Sequence, residues 1–128
     1  MSGLKRKILI VDDERSVAQS IALALAGDAV EIETVLSGED ALIRTAAVKY
    51  DLVICDLMMP GLSGLDLLKS LREYRPKTPV LMITGYPTVK TAEESLKMGA
   101  VAYITKPFTP ADIRSAAARA LEPAEAKP

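Results

Sequence analysis

Four apolar runs in this chain end in residues that can do chemistry. Asp12-Asp13 follows Lys-Ile-Leu-Ile-Val, Asp56 follows Leu-Val-Ile-Cys, Thr84 follows Val-Leu-Met-Ile, and Lys106 follows Val-Ala-Tyr-Ile-Thr. If these runs are strands of one parallel sheet, the four endings gather at its carboxyl edge, the rim where open α/β sheets bind ligands. Carboxylates brought together there repel by about 4 kcal/mol per pair at about 4 Å and an effective dielectric of about 20. They must take up protons or hold a cation. An all-oxygen donor set without Cys or His suits a hard divalent ion, and so few carboxylates suit Mg2+ that keeps part of its water. Lys106 adds a mobile point charge. The acids Asp12, Asp13 and Asp56, a divalent metal and Lys106 sum to zero charge, which leaves a pocket poised for one more dianionic group.

Each ending also has a plain structural role open to it. Asp12 or Asp13 could cap the helix that follows, Asp56 could start a turn, Thr84 could cap a turn, and Lys106 could be a solvated strand end. Taken singly, these roles explain each residue at least as well as chemistry does. Taken together they do not explain why four polar endings converge on one crevice.

The elements that must position them follow from periodicity. Lys7–Asp12 and Val101–Thr105 read as strands, and Leu52–Cys55, apolar on successive residues and ended by Asp56 and a Pro-Gly breaker, reads as a central strand covered on both faces. Pro79–Thr84 reads the same way, while Val30–Leu36 alternates (Val30, Ile32, Thr34 and Leu36 against Glu31, Glu33 and Val35), as an edge strand with one wetter face does. Between them lie helices. Glu14–Ala26 has Val17, Ile21 and Leu25 on one face and Gly27 as its stop; the next opens with a capping-box-like Ser37-Gly-Glu-Asp40 and runs to about Val48. Gly64–Tyr74 points Leu65, Leu68 and Leu71 inward, Thr88–Met98 stops at Gly99, and Pro110–Leu121 starts on a proline. Five strands alternating with five helices predict an α/β protein, a (βα)5 three-layer sandwich with a parallel sheet. One sequence leaves strand order open. The flavodoxin-like order 2-1-3-4-5 is the candidate, because it makes the first and third strands neighbours at the switch point. Residues 1–122 form one domain in this reading, and 123–128, rich in Ala, Glu and Pro, form a tail or the start of a linker.

Composition removes several function classes. Sixteen basic residues against seventeen acidic ones give a net charge of −1, which offers no electrostatic case for a nucleic-acid partner. No apolar run approaches the ~18 residues of a membrane span, and no signal-peptide apolar region follows Met1–Lys7. A lone cysteine, Cys55, excludes an internal disulfide and fits a reducing compartment, so the expected location is cytoplasmic. The chain has no histidine, which rules out Ser-His-Asp and Cys-His catalysis; any phosphohistidine must come from another molecule.

These residues resemble the receiver domain of two-component response regulators. The resemblance runs from about Lys5 to Leu121 and is carried by Val-Asp-Asp-Glu at 11–14, Asp-Leu-Met-Met-Pro-Gly at 56–61, Ile-Thr-Gly at 83–85 and Ala-Tyr-Ile-Thr-Lys-Pro-Phe at 102–108. It implies the 2-1-3-4-5 order and a set of roles. Asp56 would be the nucleophile that takes a phosphoryl group from a phosphohistidine on a histidine kinase or phosphotransfer protein. Asp13, Asp56 and the carbonyl of Met58 would bind Mg2+, with Asp12 acting through a water. Thr84 and Lys106 would each meet a phosphoryl oxygen, and Tyr103 would be the switch aromatic that turns inward when Thr84 moves. The Lys106-Pro107 bond would be cis. Such a domain is no enzyme beyond its own phosphorylation and dephosphorylation. It would signal through the face formed by the fourth helix, fifth strand and fifth helix, by partner binding or as a homodimer, for transcriptional or other regulatory output.

One charge-assisted hydrogen bond contributes about 1.5–3 kcal/mol, whereas driving a switch from 1:99 to 99:1 takes about 5.5 kcal/mol. Thr84 alone therefore only biases that face. Met58 and Tyr86, each two residues past a site residue, should border the crevice and shield a phosphoryl group from water. Two enzymatic or cofactor readings fail on residues. A haloacid-dehalogenase-type phosphatase needs a second Asp where Met58 stands, and a flavodoxin-like flavin binder needs a phosphate-cradling loop where Asp12-Asp13-Glu14 would repel one. The remaining alternative is a receiver-shaped adaptor that acts by protein contacts without being phosphorylated.

Overall fold

The computed structural model describes residues 5–122, so the expected tail at 123–128 lies outside the described residues. Strands and helices alternate as β1 Arg6–Val11, α1 Arg15–Leu25, β2 Val30–Val35, α2 Gly38–Ala47, β3 Leu52–Asp56, α3 Gly64–Tyr74, β4 Val80–Thr84, α4 Val89–Lys97, β5 Ala102–Thr105 and α5 Pro110–Ala120. The strands form one sheet in the order β2-β1-β3-β4-β5, all pairs parallel. This is the expected flavodoxin-like arrangement.

Period-two alternation divides the buried strands between two cores. On one face Leu9, Val11, Val53, Cys55, Val80 and Met82 meet α2 and α3; on the other Ile8, Ile10, Leu52, Ile54, Leu81 and Ile83 meet Ala18 and Ile21 of α1 and Ile113 and Ala117 of α5. Every residue of β3 and β4 is buried, as continuous apolar runs in a parallel sheet require. Each fully buried Leu, Ile or Val there contributes about 1.5–3 kcal/mol relative to exposure. The stability of the sheet's centre thus comes from the same runs that end in the polar residues. Among the described residues no helix is long and apolar enough to cross a membrane.

Three inward faces differ from expectation. In α3 the buried leucines are Leu67, Leu68 and Leu71, with Leu65 only half-buried, because α3 begins hard against the end of β3. A Cβ on Gly64 would lie 2.2 Å from the Asp56 carbonyl oxygen, so the 64–67–71 stripe faces the sheet. In α1 the buried residues are Ala18 and Ile21, with Val17 and Leu25 half-buried at the margin. Gly27 lies beyond Ala26, which caps α1, and has no left-handed φ. Gly99 does: at φ +94° it closes α4 while the Gly99 and Ala100 N–H groups donate to Leu96 and Ser95 carbonyls. On β2, Val30 and Ile32 pack inward but Thr34 is exposed. Ser37 caps α2 by accepting the Asp40 N–H at 3.0 Å, without the reciprocal bond of a full capping box.

Candidate functional site

Strand order places the sequence-predicted residues together. β1 lies between β2 and β3, and β3 between β1 and β4, so Asp12, Asp56 and Thr84 leave the sheet on neighbouring strands. One carboxylate oxygen from each of Asp12, Asp13 and Asp56 lies within 4.8 Å of the others. Asp12 and Asp56 are buried and Asp13 is exposed, so the acidic pocket opens to solvent on one side. Lys106 reaches in from the end of β5, with Nζ 3.4 Å from Asp12 Oδ2 and 3.6 Å from Asp56 Oδ2. The Lys106-Pro107 peptide is cis, as expected.

The local structure explains each position. Asp12 Oδ1 accepts the Glu14 N–H at 2.9 Å, which ties the β1 end to the start of α1. Its structural role and its place in the acidic pocket therefore coexist, one on each oxygen. Oδ2 has no hydrogen-bond partner although it is buried; Lys106 Nζ at 3.4 Å neutralises it without hydrogen-bond alignment. Thr84 is fully buried at the end of β4, and its Oγ1 accepts the Tyr86 N–H at 3.0 Å, leaving the hydroxyl proton free to donate. Met58 and Tyr86 present exposed side chains. Tyr103 is half-buried, and its hydroxyl lies 2.8 Å from Thr91 Oγ1 on α4.

Electrostatics in the pocket follows from burial. Asp56 is pushed up to about 6, first by burial and then by the charge of Asp12, against the opposing pull of Lys106 and the Met58 N–H. Burial also raises Asp12, against the Glu14 N–H and Lys106. For Lys106, burial acts to lower the pKa, but the charges of Asp12 and Asp56 outweigh it and hold the ammonium above its ordinary value. The Cys55 thiol is pushed upward by burial and then by the Asp56 charge, so this cysteine is an inert core residue. A buried Asp12 oxygen without a hydrogen bond, raised carboxyls and an all-oxygen donor set fit a hard divalent cation held among Asp12, Asp13 and Asp56.

Two residues at this rim carried no assignment from the sequence. Glu14, exposed, places Oε1 3.6 Å from Lys106 Nζ; its one signal is its place directly after the acidic pair. Glu39, in the first turn of α2, accepts the Leu62 N–H at 3.0 Å and holds the β3–α3 loop that carries Met58. A contact across that many residues leaves no trace in local periodicity.

Comparison with known proteins agrees with this geometry. A family model described as the response regulator receiver domain matches residues 8–118. The chain is 37% identical over 122 residues to the regulatory protein AtoC of Escherichia coli, covering 95% of this chain and 26% of that protein. It is 34% identical over 112 residues to the alkaline phosphatase synthesis transcriptional regulatory protein PhoP of Bacillus subtilis, covering 88% of this chain and 47% of that one. It thus spans between about a quarter and a half of these relatives. Among solved structures, a CheY-like response regulator receiver domain protein from Methanospirillum hungatei superposes with a TM-score of 0.87 at 30% identity, covering 91% of this chain and 94% of that one. The BeF3-activated DrrB receiver domain gives 0.85 at 29% identity, covering 94% and 100%. The chain belongs to the response regulator receiver domain family, the phosphoacceptor module of two-component signalling.

Proposed function

We propose that Asp56 is the phosphoacceptor of this domain and that a histidine kinase or phosphotransfer protein is its donor. The observation that carries the reading is the buried Asp56 carboxylate, which shares the Lys106 ammonium with Asp12 Oδ2, a buried oxygen that has no hydrogen bond. An Asp56 oxygen attacks phosphorus, the bond from phosphorus to the donor's imidazole nitrogen breaks, and the imidazole leaves with that electron pair. Asp13, Asp56 and the Met58 carbonyl would hold Mg2+, with Asp12 acting through a water, and the bound ion would supply positive charge to the phosphoryl oxygens. Lys106 and the Thr84 hydroxyl supply the remaining positive and donor contacts to those oxygens.

The Thr84 hydroxyl proton, not committed to the Tyr86 N–H, is the local handle of the switch. Its movement towards a phosphoryl oxygen would open space for Tyr103, which leaves Thr91 and turns inward. This biases the α4–β5–α5 face, and partner binding or homodimerisation there completes the shift. Residues 1–122 act as the receiver, in a cytoplasmic protein whose receiver touches neither nucleic acid nor membrane. The test is incubation with acetyl phosphate and Mg2+ followed by intact-mass measurement. One added phosphoryl group is expected on the wild type and none on Asp56→Asn. An unlabelled wild type would leave a receiver-shaped adaptor that works by protein contacts alone.

A further inference from the structure

Glu14 occupies the N-cap position of α1, yet its side chain makes no capping hydrogen bond. N-cap residues are typically Ser, Thr, Asp or Asn, whose short side chains accept an N–H of the first turn. The helix therefore gives up a stabilising cap. The Glu14 carboxylate turns instead to the acidic pocket, 3.6 Å from Lys106 Nζ. Its backbone N–H is held at 2.9 Å by Asp12 Oδ1, so its place beside the pocket is fixed by a residue of the pocket itself.

Lys106 is thus shared among Asp12, Asp56 and Glu14 at 3.4, 3.6 and 3.6 Å. The three anions differ in their surroundings. Asp12 and Asp56 are buried at 1% and 5% side-chain exposure, whereas Glu14 is 62% exposed. A cation bound among the buried acids would offset their hold on Lys106, and Glu14 would then be its remaining unneutralised partner. We propose that Glu14 is a positioning residue: it draws the Lys106 ammonium toward the rim of the pocket and so competes with an incoming phosphoryl group for it. This inference rests on Asp56 being the phosphoacceptor.

A double-mutant cycle over wild type, Glu14→Gln, Lys106→Met and the double variant separates this role from simple repulsion of an anionic donor. The rate of labelling by acetyl phosphate with Mg2+ is followed by intact mass, and Mg2+ affinity is measured by calorimetric titration with MgCl2 alone. Glu14→Gln should raise the labelling rate at saturating donor about two- to fivefold, the range for one half-exposed ion pair, and the gain should vanish in the Lys106→Met background. Neutralising an exposed acid away from both the pocket and the switching face, Glu73→Gln on α3, should change neither rate nor affinity. For Mg2+, losing Glu14 sends Lys106 fully onto Asp12 and Asp56, so Glu14→Gln should weaken binding more with Lys106 present than in the Lys106→Met background. This second cycle reads the coupling even where the Lys106→Met protein is labelled too slowly to measure. Equal effects of Glu14→Gln in both backgrounds, or none, in a wild type that is labelled would overturn the role of Glu14 and leave Asp56 as acceptor. A wild type that takes no label would overturn both.

Discussion

Replacing Asp56 by Asn, in protein freed of divalent metal, should stabilise the fold at neutral pH and do so far less in acid. Asp56 titrates at about 6 against an ordinary 3.8, first through burial and then through the charge of Asp12. A folded-state carboxyl pKa above the unfolded one means that the native form binds the proton more tightly. The contribution to stability is therefore fully present below the unfolded pKa, falls as pH rises, and is lost once pH passes the folded pKa. The gap of 6 − 3.8, about 2.2 units, corresponds to about 3 kcal/mol at about 1.36 kcal/mol per unit. At 5% exposure Asp56 needs little discount for solvent screening. About 2 kcal/mol of this develops between roughly pH 4.5 and 7.5, where the unfolded chain is already mostly ionised at the lower limit. Asn has no charge to desolvate, so the variant should not show this loss. The assay is urea unfolding of both proteins in a chelating buffer at these two pH values. The variant should be about 3 kcal/mol more stable at the higher pH and about 1 kcal/mol more stable at the lower. Saturating Mg2+ should stabilise the wild type more than the variant and narrow the gap. A variant no more stable than the wild type at neutral pH, or equally stabilised at both, would refute the claim that an unneutralised buried carboxylate strains this pocket.

Gly64→Ala should destabilise by about 3 kcal/mol or more, because overpacking against backbone has no flexible atom to yield; its Cβ would meet the Asp56 carbonyl oxygen at 2.2 Å and Leu57 Cα at 2.8 Å. Thermal melting checks this, and an unchanged midpoint would mean that the β3–α3 junction moves freely. Thr84→Ala removes the acceptor of the Tyr86 N–H and should cost about 1 kcal/mol in urea unfolding. It should also diminish the NMR shift changes at Tyr103 on phosphorylation while Asp56 is still labelled. Met58→Asn with Tyr86→Ala strips two exposed bulky side chains from the rim and should shorten the phosphoryl half-life, measured by decay of the intact-mass adduct. An unchanged half-life would show that neither side chain shields the phosphoryl group from water.

The strands were legible because apolar runs of four to six residues are strands when both faces are covered, and each predicted boundary lies within about one residue of the observed one for the same reason. Helix faces were less so. In α3 two overlapping stripes, 65–68–71 and 64–67–71, are both apolar enough to face inward, and the choice fell to Gly64 packing on Asp56. On β2 the wetter face was visible in Glu31 and Glu33. That Glu33 would be half-buried, accepting from the Tyr50 hydroxyl and pairing with Arg44 at 2.7 Å, was not. Its two partners lie on α2 and in the connection just before β3, and alternation within one strand says nothing about what lies across it.

By itself the sequence determined what stands at four of the strand ends: acids just after β1 and at the end of β3, a hydroxyl at the end of β4, an ammonium just after β5. It also determined that so many carboxylates at one rim would need a cation. The tertiary structure alone decided that β1 and β3 are neighbours, that Lys106 is shared with Glu14 as well as with Asp12 and Asp56, and that Glu39 holds the loop bearing Met58. Side-chain type and spacing are local properties of a chain. Which strands adjoin, and which charges then lie within a few ångströms, depends on the packing of all the helices against both faces of the sheet.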